Sequence, residues 1–178
     1  MKKPLKIVII GPSTASQHAV GYDETWEMWG INAAYRRVTG IPRWNRMFNL
    51  HRYAHLERDC PHYVDWDSAF SRRNPSVQMV VVDSWKRLLT NEVILPRAKL
   101  AQQPRGDYHA SSFDWMVAYA VHLKAKAIHV YGAQFALDSP RHEPISARAC
   151  LEYWLGYAEG RGIATQTDAE LLDEEIAL

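Results

Sequence analysis

The chain of 178 residues has little of several features that mark specialised classes of protein. Its two cysteines, Cys60 and Cys150, form no C-x-x-C pair, so a disulfide framework is not predicted and a reducing, cytoplasmic compartment is expected. No apolar run approaches the roughly 18 residues that a membrane span requires, which predicts no membrane partner. The net charge of +1 provides no general attraction to nucleic acid, so a nucleic-acid partner is not indicated.

The common fingerprints of nucleotide enzymes and hydrolases are also absent. The sequence has no G-x-G-x-x-G motif, no Walker-type loop and no G-x-S-x-G elbow, which argues against hydride transfer, Walker-type hydrolysis and serine hydrolase chemistry. Three histidines, His51, His55 and His62, lie close together in sequence. They belong to no H-E-x-x-H motif and have no cysteine partner, so no metal site is predicted.

What the sequence does contain is an alternation of apolar runs and helical patterns. Lys6–Ile10 is a continuous β-branched run ended by Gly11 and Pro12, which is typical of a central strand covered on both faces. Further strands are predicted at 29–32, 46–50, 77–82, 127–131 and 163–167, and helices at 33–38, 53–58, 66–73, 111–124 and 146–159. The alternation predicts a single Rossmann-like α/β domain over residues 1–178, with a mainly parallel, doubly wound sheet and an acidic tail at 168–178.

Two local signals refine this prediction. Pro96, Pro104 and Gly106 predict a long loop over residues 91–108, of the kind that often forms a lid. Ser111, followed three residues later by Asp114, predicts a capping box at the start of the best helix.

Ligands of doubly wound sheets bind beyond the carboxyl ends of the strands, and this rule indicates the candidate binding residues. They are Gly11, Pro12 and Ser13 after the first strand, Asn32 after the second, Ser111 and Ser112 at the helix start, and Gly132 and Gln134 after the strand at 127–131. Glycine allows close approach of a ligand, while hydroxyl groups and free amides at a helix start hold anions. A plain turn at Gly11, a turn-stabilising Asn32 and simple capping by Ser111 remain as alternatives.

Two histidines are candidates for acid–base catalysis. His51 follows the strand at 46–50, and His109 precedes the capped helix. Because Gly106, Asp107 and Tyr108 give His109 no continuous apolar surroundings, its side chain is predicted to face a ligand site or solvent rather than the core. Asp83, after the strand at 77–82, is either a pocket carboxylate or part of a turn.

Together these segments resemble a known superfamily. The resemblance rests on Gly-Pro-Ser after a strand, an Asn after the next strand, and Ser-Ser opening a helix that leads to the run from Lys124 to Gly132. This pattern resembles the Rossmann-like superfamily of bacterial CMP-sialic-acid sialyltransferases, motility-associated Maf glycosyltransferases and archaeal hydroxymethylpterin diphosphokinase. The segments 152–158 and 160–163 look most like uncharacterised phage proteins of the same architecture.

The resemblance implies roles for individual residues. In the sialyltransferases the Gly-Pro-Ser loop and the Asn contact the cytidine nucleotide, which implies Gly11, Pro12, Ser13 and Asn32 in this chain. By the same match Ser111 and Ser112 would contact the donor, and His109 would be the base. Where these families often have Gly-x-Asp, this sequence has Gly132-Ala133-Gln134.

Two functions follow as expectations. The first is a small transferase, similar to glycosyltransferases, that uses a nucleotide or nucleotide sugar, with no further cofactor established. The alternative is a protein that binds a nucleotide without turnover, such as a phage counter-defence or regulatory factor. Whether copies of the chain form a homo-oligomer is left open by the sequence.

Overall fold

A computed structural model describes residues 3–12, 21–133 and 143–167, with side chains of 143–145 left aside. Its seven strands are β1 (Lys6–Ile10), β2 (Trp26–Ile31), β3 (Arg46–Asn49), β4 (Gln78–Val81), β5 (Glu92–Ile94), β6 (Ala127–Tyr131) and β7 (Ala164–Thr167). They form one sheet in the order β5-β4-β3-β2-β1-β6-β7, and every neighbouring pair is parallel. The predicted doubly wound α/β fold is thereby confirmed, with Lys6–Ile10 as an interior strand.

The strand order contains one reversal, and this reversal decides where a ligand site can form. From β1 the chain builds the sheet outward to β5, then returns to place β6 on the other side of β1. The strands that follow β1 and β6 in the chain, β2 and β7, therefore lie on opposite sides of this central pair. A crevice at such a switch point is the usual ligand position in doubly wound sheets.

Six helices connect the described strands. They are α1 (Ala34–Arg37), α2 (Tyr53–Asp59), α3 (Pro61–Arg73), α4 (Arg97–Leu100), α5 (Ser112–His122) and α6 (Glu143–Gly160). The largest error in a predicted helix boundary is at α3, which begins at Pro61 and not at residue 66. Proline is tolerated at the first helical position, where its missing N–H would have no partner within the helix.

The prediction of a long loop over residues 91–108 is wrong. Glu92–Ile94 forms the edge strand β5 beside β4, and Arg97–Leu100 forms the short helix α4. Leu95 and Leu100 anchor this segment because both are fully buried. Pro96, which indicated a loop, occupies the position before α4, where proline does not interrupt a helix.

The two faces of the sheet are covered by different elements because strand side chains alternate between faces. On one face Ile7 and Ile9 pack with α5 and α6. On the other face Val8 and Ile10 lie in a cluster with Met28 and Tyr131, while α2 and α3 cover β3 and β4. Both faces are therefore buried, which explains why β1 reads as a continuous apolar run.

The best-predicted helix, α5, begins at the carboxyl edge of the sheet. It leads into β6, and a helix that precedes a parallel strand runs antiparallel to it, so its start lies where the strands end. The predicted capping box is confirmed: Ser111 Oγ accepts from the Asp114 amide, and the Asp114 carboxylate accepts from the Ser111 amide at 2.7 Å. The N-terminus of α5 is thus fixed beside the switch point.

Asp83 also caps a helix. Its carboxylate accepts a hydrogen bond of 2.9 Å from the Tyr53 amide, the first residue of α2. The sequence offered a pocket carboxylate or a local turn for Asp83, and neither describes this contact, because the partner is a helix residue 30 positions away. Within the described ranges, no helix is long and apolar enough to cross a membrane, and the predicted acidic tail 168–178 lies outside those ranges.

Candidate functional site

At the switch point the loops after β1 and β6 touch each other. The Gly11 amide donates to the Tyr131 carbonyl at 2.8 Å. A Cβ on Gly11 would lie 2.2 Å from the Gly132 carbonyl oxygen and 2.7 Å from Phe113 in α5. Gly11 is therefore required by packing, and the contact brings both loops against the start of α5.

Replacing Gly11 with alanine is expected to lower the free energy of unfolding by about 3 kcal/mol, because the new methyl group overlaps backbone that cannot move away alone. Gly156 provides the matched control, since a Cβ there meets nothing within 4 Å and the residue lies inside α6. Gly156→Ala is expected to stabilise by about 1 kcal/mol through helix propensity. Urea denaturation of both variants measures the difference. Equal stability of Gly11→Ala and wild type would contradict the packing of the two loops.

His109 lies at the same end of α5, but its side chain is not exposed as predicted. The imidazole is only 3% exposed and is sandwiched between Trp115, at 3.6 Å between ring centroids, and Trp154, at 4.9 Å. The sequence-based prediction is wrong because it considered only the neighbouring residues of the loop. The two indoles that bury the ring come from α5 and α6, which meet in the folded chain.

Asp114 orients this imidazole and is itself fully buried. One carboxylate oxygen pairs with His109 Nδ1 at 3.0 Å, and the other accepts from the amides of Ala110 and Ser111 and from Ser111 Oγ. Because a carboxylate only accepts, the contact assigns a proton to Nδ1 and leaves Nε2 as the acceptor nitrogen in the neutral imidazole. Nε2 is buried and has no hydrogen-bond partner among the described residues.

A cavity of about 550 Å³ adjoins His109 between α4 and the first part of α5. Arg97 of α4, Asp107 and Trp115 are among the residues that line it together with His109. The Arg97 guanidinium lies over the Trp115 ring at 4.9 Å, on the indole that also stacks on His109. The cavity thus combines a guanidinium, a carboxylate and an oriented imidazole.

A second cavity, of about 430 Å³, opens beyond the carboxyl ends of β2 and β3, and we call it the β2–β3 cavity. Two predicted site residues, Asn32 and His51, line it. Asn32 has a left-handed backbone with φ 49°, which asparagine tolerates better than most residues. Its backbone N–H donates to the Phe48 carbonyl at 2.6 Å. Its side-chain oxygen Oδ1 is buried without a hydrogen-bond partner in the described part of the chain. The remaining lining residues are Asn49, His55, Leu56, Asp59, Cys60 and Tyr63.

A buried carboxylate, that of Asp67, forms a hydrogen bond with Asn49, which lines the β2–β3 cavity. Asp67 of α3 accepts from the Asn49 side-chain amide and from the Tyr35 hydroxyl, each at 2.9 Å. Burial raises the pKa of the Asp67 carboxyl to about 6, and the two hydrogen bonds only partly oppose this effect. Asp67 is therefore ionised above about pH 6, at the cost of burying a charge.

This raised pKa predicts a pH-dependent contribution to stability. The folded protein holds the Asp67 proton more tightly than the unfolded chain, so the contribution is complete below about pH 4 and is lost as the pH rises to about 6. The loss amounts to about 3 kcal/mol for this shift. Asp67→Asn, which carries no charge, is expected to exceed wild type in free energy of unfolding by up to about 3 kcal/mol at pH 8, and by little at pH 4. Urea denaturation at the two pH values measures this, and an advantage of the variant that is equal at both would refute it.

The structure divides the predicted site residues into two groups. Gly11 and Gly132 meet at the switch point against α5, where His109, Ser111 and Ser112 also lie, while Asn32 and His51 share the β2–β3 cavity. Pro12 is exposed beside Gly11, and the predicted contacts of Ser13 and Gln134 lie outside the described residues. Sequence reasoning did not select four residues that the geometry singles out: Asn49, Asp67, Asp114 as the partner of His109, and Trp115.

A local signal existed for only some of these residues. Asn49 lies in the strand predicted at 46–50 and ends the observed β3, two positions before His51, so the rule that selected His51 also applies to it. Asp67 and Trp115 carry no such signal, because each lies inside a helical pattern and its role depends on contacts with other elements. No protein-family model, curated protein or solved structure matches this chain.

Proposed function

We propose that this protein binds a nucleotide-type ligand along the carboxyl edge of its sheet and acts as a small transferase on a nucleotide-activated donor such as a nucleotide sugar. The observation that carries the proposal is the oriented pair His109–Asp114 at the start of α5, on the wall of a cavity and beside the switch point. It supplies the positioned base that distinguishes a transferase from a protein that only binds nucleotides.

The β2–β3 cavity suits the nucleoside part of the ligand. The unpartnered Oδ1 of Asn32 requires a hydrogen-bond donor, because a buried polar atom without a partner is destabilising by about 1–3 kcal/mol. Base amino groups and ribose hydroxyl groups are such donors. Tyr63 and His55 on the same wall add surfaces that a base can contact.

The switch point suits the phosphate groups. The backbones of Gly11 and Gly132 pack closely against each other here, and the start of α5 lies against them. The capping box already uses the amides of Ser111 and Asp114, so what the start of α5 offers an anion is the partial positive charge of a helix N-terminus. In this arrangement the ligand extends from the β2–β3 cavity across β1 to the start of α5.

His109 would then act on the second substrate. An acceptor hydroxyl in the cavity of Arg97 and Trp115 would give its proton to Nε2, once a movement of the surrounding side chains opens this buried nitrogen to the cavity, as its oxygen bonds to the activated carbon of the donor. The bond from that carbon to the phosphate oxygen would break, and the nucleotide would leave with the electron pair. Asp114 would stabilise the imidazolium formed in this step.

Nucleotide binding is tested by thermal shift with nucleoside mono- and diphosphates and nucleotide sugars. A ligand at one hundred times its Kd is expected to stabilise the protein by about 2.7 kcal/mol. Asn32→Gly is the informative variant, because glycine adopts φ 49° without strain and removes only the amide. It is expected to fold and to lose most of the ligand-induced shift. If no compound shifts the melting curve of the wild type, the proposed function is wrong.

A second function, capture of a nucleotide without turnover, is favoured by one observation. Nε2 of His109 is buried, and its ring is fixed between two tryptophans, which also suits a purely structural histidine. Such a protein would serve as a regulatory or phage counter-defence factor. Incubation with candidate donors followed by mass spectrometry distinguishes the two functions. A new product supports the transferase, whereas an unaltered ligand that co-purifies with the protein supports capture.

A further inference from the structure

The wall of the β2–β3 cavity contains an amide whose orientation is fixed from both ends. Asn49 is buried at 1% exposure, and its Nδ2 donates to Asp67 at 2.9 Å. Its Oδ1 accepts from the His51 backbone amide at 3.3 Å. An ionised carboxylate accepts hydrogen bonds and a backbone N–H donates one, so the two contacts allow only one orientation of the amide.

This orientation determines which polar atom of Asn49 is available to a ligand. Both oxygens of the Asp67 carboxylate bond to groups of the protein, since Oδ2 accepts from Asn49 and Oδ1 accepts from the Tyr35 hydroxyl. The Asn49 carbonyl oxygen has two lone pairs, and the His51 backbone N–H uses only one of them. That hydrogen bond is also long, at 3.3 Å, so the oxygen can accept a second hydrogen bond from a ligand. On the same cavity, Asn32 contributes an unpartnered carbonyl oxygen, and Asp59 contributes a carboxylate that is paired with Arg58.

We propose that Asp67 is a positioning residue that fixes the Asn49 carbonyl oxygen as a ligand acceptor, so that the β2–β3 cavity selects ligand groups that donate hydrogen bonds. This inference rests on the proposed nucleotide binding and adds the chemistry that the site recognises. The donor groups are either the exocyclic amine of a base such as cytosine or adenine, or the ribose hydroxyl groups. A phosphate, which only accepts, is disfavoured among these acceptors and belongs at the switch point.

Isothermal titration of the full chain at pH 8 with pairs of mononucleotides tests the inference. CMP against UMP and AMP against IMP compare an amine with a carbonyl at the same position of the base, and CMP against 2′-deoxy-CMP tests the ribose hydroxyl. The wild type is expected to prefer the donor-bearing member of at least one pair by about tenfold, as one hydrogen bond contributes. If it binds all members of every pair equally, the inference is overturned while nucleotide binding stands. If it binds none, the proposed function and the inference both fail.

Three variants separate positioning from a merely structural role. Asp67→Leu removes the acceptor and frees the Asn49 amide to rotate, so the preference is expected to fall to about twofold or less. Asp67→Asn still offers a carbonyl oxygen to Asn49 and is expected to restore the preference. Tyr35→Phe removes the hydrogen bond to the other carboxylate oxygen, and it is expected to keep the preference although it disturbs the same group. An unchanged preference in Asp67→Leu would overturn the inference.

The wild type provides an independent measurement that does not depend on the folding of Asp67→Leu. In the ¹H–¹⁵N NMR spectrum, the protons of the Asn49 side-chain NH₂ group are expected to exchange slowly with solvent, because the group donates to Asp67. For the same reason, their chemical shifts are expected to change little when the preferred mononucleotide binds. Large ligand-induced shifts of these signals would place the NH₂ group at the ligand, which contradicts the proposed orientation.

Discussion

Replacing Asp114 with alanine is expected to lower the free energy of unfolding by about 3–5 kcal/mol, the largest effect of any single substitution considered for this protein. The carboxylate is 0% exposed and accepts from two backbone amides, one hydroxyl and the imidazole of His109. Alanine would leave these donors buried without a partner and would remove the capping box of α5.

Urea denaturation at pH 8 measures this effect. Asp65→Ala is a suitable control, because Asp65 is an exposed acidic residue on α3, and its replacement is expected to change stability by less than about 0.5 kcal/mol. A loss below about 1 kcal/mol for Asp114→Ala would show that the carboxylate is not the common acceptor of these groups.

Replacing His109 with asparagine is expected to lower kcat by about 10²-fold or more, with little change in nucleotide affinity. Asparagine is preferred to alanine because its amide can still donate to Asp114, whereas alanine would also leave a gap between Trp115 and Trp154. It has no atom in place of Nε2, so the variant removes the proton acceptor of the proposed reaction. Product formation followed by mass spectrometry gives kcat, and titration gives the affinity.

Two further variants make this result specific. His122→Asn lies at the other end of α5, on an exposed position, and is expected to retain full turnover. His51→Asn tests the rival histidine in the β2–β3 cavity. If His51→Asn abolishes turnover while His109→Asn retains it, the base is His51, and the role assigned to His109 by resemblance is mistaken.

The sequence by itself determined the fold class and several of the residues that lie at the carboxyl edge of the sheet. Lys6–Ile10 is apolar at every position but the first because both faces of β1 are covered. This apolar run can be recognised from the five residues themselves, without knowledge of the residues that pack against them. Ser111 and Asp114 predicted the start of α5 for a similar reason, since both partners of a capping box lie within one helical turn. Asn32 and His51 were identified as edge residues because each follows a strand directly.

Only the tertiary structure decided how the site residues are oriented and how deeply they are buried. His109 is buried by Trp154, which is 45 positions away along the chain, and the Asn49 amide is oriented by Asp67, 18 positions away on another element. Such contacts leave no periodic pattern, because a single partner at a long separation adds no regularity to either segment. The sequence thus predicted which residues lie at the carboxyl edge of the sheet, and the packing of α3 on one face and of α5 and α6 on the other decided how their polar atoms are oriented and buried.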